Sequence, residues 1–178
     1  MNNITKLKQL LTPPSCSLEV PSDPLWSEIE KKLGIQLPND YKEFVSSYGS
    51  GSVDDFLWVF NPFSENPNIN LFERLTTETE TFEYLKKSGN ETLLFSMYPE
   101  KRGLLPLGAT DNGDVLFWQV GGNPSTWPIV INAARQAEYE KYEITLVDFL
   151  IKTLTGGIKS NIFPSDFPCD RPLFNSAC

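Results

Sequence analysis

The sequence predicts an α+β fold, one domain in which a mostly antiparallel sheet has helices packed around it. Three observations predict it. Two segments between residues 22 and 49 carry apolar side chains at helical spacing. Short apolar runs between residues 104 and 131 flank an Asn-Gly pair. From Thr145 onward the spacing turns helical again.

Taken in order, Ile4 to Leu11 predicts a short helix ended by Pro13-Pro14. Ser22 and Asp23 are capping residues, Pro24 suits a first turn, and Leu25, Trp26, Ile29 and Leu33 share a face closed by Gly34. The residue before a proline avoids the α region, so Leu37-Pro38 reads as a corner into a second helix. In that helix Tyr41, Phe44, Val45 and Tyr48 form one stripe ended by Gly49. Gly49-Ser50-Gly51-Ser52 reads as a flexible turn, followed by a buried strand over Phe56–Phe60. Leu71 to Lys87 predicts a longer helix with Leu71, Leu75, Phe82 and Leu85 inward and Glu73, Glu78, Glu80 and Glu83 outward. Leu104–Thr110 and Asp114–Val120 predict a hairpin about Asp111-Asn112-Gly113, since Asn-Gly tolerates positive φ. Trp127–Ile131 predicts a further strand, with Glu138–Tyr142 as its partner. Thr145, with Asp148 three residues on, reads as a capping box for a last helix, in which Leu146, Phe149, Leu150 and Leu154 face inward and Gly156 is the stop. Residues 1–21 are expected to be an N-terminal helix and linker, 22–156 the domain, and 157–178 an irregular tail packed on it.

The chain carries a formal charge of −8 and no histidine. Such a surface repels nucleic acid and anionic lipid, and favours a cationic protein as partner. Cys16, Cys169 and Cys178 are odd in number and lack metal-ligand spacing, so they read as free thiols in a reducing compartment. The N-terminus lacks the apolar stretch of a signal peptide, no run is as long as a membrane span, and the expected location is the cytoplasm. The sequons at Asn3 and Asn90 therefore carry no weight.

Catalytic patterns are sparse. Without histidine there is no Ser-His-Asp or Cys-His arrangement, and three cysteines cannot complete a four-cysteine zinc site. Gly49-Ser50-Gly51 follows a helix and lacks the lysine of a phosphate loop. A calcium loop starting at Asp111 would place Gly122 where a glutamate ligand is needed. Trp26, Trp58, Trp118 and Trp127 sit in apolar segments, as core residues do, although Trp58 and Trp118 could also line a small-molecule pocket. The expectation is a protein with no cofactor, no metal and no enzymatic activity.

The order of these features carries a resemblance. Trp26, Ile29, Glu30, Leu33-Gly34, Leu37-Pro38, Asp40-Tyr41, Phe44, Tyr48-Gly49 and Gly51 resemble the N-terminal signature of the SUKH superfamily. Leu104-Leu105-Pro106-Leu107-Gly108 and Gly113 through Trp118 resemble the central hairpin of that superfamily. Trp127-Pro128-Ile129-Val130 and the closing helix to Gly156 complete the same order. The likeness spans about residues 22–156 and rests on residues that shape the fold: Trp26, Gly34, Leu37, Pro38, Tyr41, Phe44, Gly49, Gly51, Trp118 and Trp127. It implies a non-enzymatic binding module. Bacterial members are immunity proteins that neutralise toxin domains, commonly nucleases or deaminases, whereas eukaryotic members are regulatory or scaffolding adaptors.

The expected partner is thus a cognate toxin with a basic active-site cleft, which acids can occupy as phosphate mimics. Loop acids are the expected contacts: Asp54, Asp55, Glu65, Asp111 and Asp114. On this reading, reversing Asp54 and Asp55 to lysine slows association without unfolding the protein.

Overall fold

The structure is a computed structural model that describes residues 3–89 and 93–177, so Asn90 and Cys178 lie outside the described residues. It is α+β, with five α-helices and one seven-stranded antiparallel sheet. The helices are α1 (Asn3–Leu10), α2 (Asp23–Leu33), α3 (Asn39–Tyr48), α4 (Leu71–Ser88) and α5 (Leu146–Leu154). The strands are β1 (Gly51–Val53), β2 (Leu57–Val59), β3 (Leu104–Thr110), β4 (Val115–Gln119), β5 (Ile129–Asn132), β6 (Tyr139–Tyr142) and β7 (Phe174–Ser176). Their spatial order is β6-β5-β4-β3-β2-β1-β7.

The central strands are apolar at consecutive positions because both faces of the sheet are covered. In β4, Leu116 and Trp118 point into the larger core, while Val115 and Phe117 point to the opposite face. In β5, Ile129 and Ile131 take the first side and Val130 the second. The larger core also gathers Ile4 and Leu7 of α1, Trp26 of α2, the Tyr41-Phe44-Val45-Tyr48 stripe of α3, and Phe149 and Leu150 of α5. Phe82 of α4 closes the smaller one. Pro106 has no N–H for the ladder, and the β3–β4 register shifts between Pro106 and Gly108, where a bulge accommodates it.

Several elements differ from expectation in informative ways. Ser50-Gly51-Ser52 is fully buried, and Gly51–Val53 is a strand rather than a flexible turn. A Cβ on Gly51 would meet Asn175 O at 2.2 Å, so the absent side chain is what lets β7 pair there. The tail is therefore not irregular throughout, since it supplies the strand beyond β1. The Asn-Gly turn has positive φ only at Gly113, with Gly113 N–H donating to Thr110 O at 2.9 Å. It is a three-residue loop closed by a left-handed glycine, not the two-residue turn that Asn-Gly suggests. Leu25 faces outward at 39% exposure. Glu78 is buried and paired with Arg74 instead of facing solvent. Burial raises its carboxyl pKa, and the Arg74 charge only partly offsets this.

The caps also rearrange. Thr145 makes no side-chain cap bond, and Asp148 accepts from Asn3 Nδ2 at 2.8 Å. The first turn of α5 is satisfied from α3, where Asp40 Oδ2 accepts from Val147 N–H at 3.0 Å. Asp40→Ala should lower unfolding free energy by about 1 kcal/mol, while Thr145→Ala should change it little. Urea titration of both variants checks this, and equal losses would contradict it.

A carboxylate anchors the start of the tail. Glu140 accepts from Ser160 Oγ at 2.6 Å, Asn161 N–H at 2.7 Å and Tyr142 Oη at 2.7 Å. Partial burial opposes its charge, but these donors outweigh it and hold its pKa below the ordinary 4.5. A depressed carboxyl stabilises the fold above its unfolded pKa and loses that contribution as pH falls through the folded one. Glu140→Gln should therefore be less stable at neutral pH by about 1 kcal/mol. Urea curves of the two proteins should converge as the solution is acidified.

Candidate partner-binding surface

Because helices cover the sheet, its strand ends supply the exposed loops. At one end lie three turns, at residues 53–56, 110–114 and 133–138, with the tail around residues 166–173 beside them. The first two turns touch, since Asp111 N–H donates to Phe56 O at 2.9 Å. The second and third touch through Asp114 Oδ1, which accepts from Ala134 N–H at 2.9 Å. Asp55, Asp111, Glu138, Asp166 and Asp170 are exposed across this end, and Arg135 and Arg171 lie among them. Leu173, at 62% exposure, adds an apolar spot.

Asp54 and Asp55 form the tip of the β1–β2 hairpin. Both are left-handed, at φ 53° and 52°, and Phe56 N–H donates to Val53 O at 3.0 Å, as a type I′ turn requires. Aspartate tolerates this conformation better than most residues. The carboxylate of Asp54 accepts from Cys169 N–H at 3.0 Å, from Leu173 N–H at 2.8 Å and from the Cys169 thiol at 3.2 Å. That carboxylate raises the thiol pKa of Cys169, which is otherwise exposed. Asp55 accepts from Asn175 Nδ2 at 2.8 Å. The hairpin tip is thus the fastening point of the tail.

The five expected contact acids separate into different places. Asp55 and Asp111 are exposed at the acidic end, and Asp111 also accepts from Trp58 Nε1 at 3.0 Å. Asp54 is there too, but its carboxylate is occupied by the tail. Asp114 is 4% exposed and bonds the Thr110 hydroxyl at 2.6 Å, so it belongs to the turn and is withdrawn from the partner surface. Glu65 is exposed at the opposite end of β2, in the loop after Asn61-Pro62, where its N–H donates to Glu19 Oε1 at 2.7 Å. Asp166 and Asp170 are not singled out by the sequence, because their segment has no periodicity from which to place it.

The fold-shaping residues meet in the core. Trp26 packs edge-on against Tyr41 at 5.8 Å, Tyr41 against Trp118 at 4.9 Å, and Trp118 approaches Trp127 at 6.3 Å. This aromatic chain ties α2 and α3 to β4. Tyr41 Oη donates to Phe60 O at 2.7 Å, which satisfies the one polar atom on that ring. Leu37 N–H and Lys42 Nζ both donate to Glu30 Oε1, at 2.9 and 2.7 Å, and fix the Leu37-Pro38 corner. Gly34 is left-handed at φ 79°, and a Cβ on Gly49 would lie 2.1 Å from Leu18 O. Phe44 stacks on Tyr48 at 4.7 Å and meets Phe174 of β7 edge-on at 6.1 Å.

Among the described residues no group of three or more Cys, Asp or Glu side chains is placed to hold a metal ion, and no helix is long and apolar enough to cross a membrane. What the geometry defines is an α+β module with five exposed acids at one sheet end and others spread over its helices and loops. The family model for the SMI1-KNR4 cell-wall proteins, SUKH_6, matches residues 23–150, and the chain belongs to this family of the SUKH superfamily. No curated protein and no solved structure matches it.

Asp54→Ala removes the acceptor of two backbone amides and strains a left-handed residue. It should cost about 1–3 kcal/mol and speed hydrogen exchange at the Leu173 and Ala177 amides. Undiminished protection there would show that the tail is held by other contacts. This revises the expectation that charge reversal at Asp54 leaves folding untouched.

Proposed function

We propose that this chain is an immunity protein that binds and neutralises a cognate toxin domain, a nuclease or deaminase with a basic cleft, in the cytoplasm. One observation carries the reading beyond family membership: the acidic sheet end, built from three fused turns and a fastened tail. A toxin acting on nucleic acid needs cations in its cleft, and a rigid array of carboxylates can sit where phosphates would. Long-range attraction would raise association toward about 10⁸–10⁹ M⁻¹s⁻¹ at low salt. Leu173 offers an apolar contact inside the charged rim, and the complex would bury on the order of 1,600 Å² in total. The module acts by occupying its partner and performs no reaction.

A second reading, a non-enzymatic regulatory or scaffolding adaptor, draws support from the cell-wall description of the matched family. Co-expression with toxin domains encoded beside this chain separates the two. Immunity predicts restored growth and co-purification, whereas an adaptor gives neither. With the toxin in hand, Asp166→Lys combined with Asp170→Lys should slow association at least about tenfold at low salt and leave the melting temperature nearly unchanged. An unaltered association rate would remove the acidic end from the interface.

A further inference from the structure

The opposite end of the sheet carries basic side chains as well as acidic ones. Here the loop before β3, the loop after β4 and the end of β6 enclose a pocket of about 440 Å³. Lys101, Arg102 and Lys141 line it, with Gly121 and Gly122 as part of its wall. Lys141 is neutralised by Glu143 at 2.7 Å, but among the described residues neither Lys101 nor Arg102 has a carboxylate within ion-pair distance. Two unpaired cations thus face one cavity in a chain of net charge −8. Both side chains are exposed, and an anion bound between them would lower their mutual repulsion.

Two further features point the same way. Arg102 is held at φ 58° in a turn closed by Gly103 N–H donating to Glu100 O at 2.8 Å. That third turn position ordinarily takes glycine or asparagine, and an arginine there is strained. The Arg102 stem packs beside Gly121, where an added Cβ would stand 3.8 Å from Arg102 Cγ. Among the described residues Gln119, also on the pocket wall, has a buried Oε1 without a hydrogen-bond partner. A ligand hydroxyl could satisfy that acceptor once the amide turns.

We propose that this pocket binds a phosphomonoester bearing hydroxyl groups, with Lys101 and Arg102 on the phosphate and Gln119 on the hydroxyl side. The volume suits a small molecule and not a flat macromolecular contact. The site is remote from the acidic end and stands whether or not the immunity reading does.

The test is calorimetric titration of the full chain at low salt with inorganic phosphate and, separately, glucose 6-phosphate. One saturable site is expected with a Kd of about 1 mM or tighter, and with the sugar phosphate preferred. Arg102→Gly relieves the backbone strain while deleting the charge, so it should fold at least as well and bind at least about tenfold more weakly. Lys101→Gln should weaken both probes without a change in melting temperature. Absence of saturable binding, or binding unchanged in both variants, would overturn the assignment. Equal affinity for the two probes would remove Gln119 from it.

Discussion

Strands β3, β4 and β5 expose apolar side chains on both faces, and both must leave water. The structure meets that demand with α1, α2, α3 and α5 on one side and α4 on the other. Helices α1 to α4 bury one stripe each and keep their outer faces exposed, and the turns where the strands begin and end are exposed beside them. The turns at the two ends of the sheet differ in sequence and so in the side chains they present.

The resulting division of labour among the acids is sharp. Asp40 caps a helix it does not belong to, Asp114 completes a turn, Glu30 fixes a corner, and Asp54 and Glu140 hold the tail. Each binds backbone or side-chain donors within the fold. Asp55, Asp111, Asp166, Asp170 and Glu138 remain at the surface, where charge acts at a distance. Acidity here is partly architecture and partly field, and only the second part is available to a partner.

Much of the fold was legible because periodicity is local. The α3 stripe from Tyr41 to Tyr48, the span Leu104–Thr110 and the α5 core face follow from spacing alone. β1 was missed because Gly51-Ser52-Val53 has the composition of a turn; it is a strand only because Leu57–Val59 on one side and Phe174–Ser176 on the other supply its ladder. The capping box at Thr145 failed because the distant Asp40 carboxylate took the Val147 amide and Asn3 engaged the Asp148 carboxylate. The surface acids could be named but not sorted, since Asp54, which takes three donors from the tail, reads in the sequence like the exposed Asp111. That distinction needs the position of Cys169 and Leu173, more than a hundred residues away.

The placement of charge at the two sheet ends has a geometric outcome. β3 alone sets Asp111 and the Lys101-Arg102 pair roughly 20 Å apart along the strands. For the cationic partner of the proposed function, carboxylates gathered at one end would add a torque to the pull and turn that end forward before contact. Docking would then begin from a narrowed set of orientations, which shortens the rotational search that otherwise slows encounter between two folded proteins.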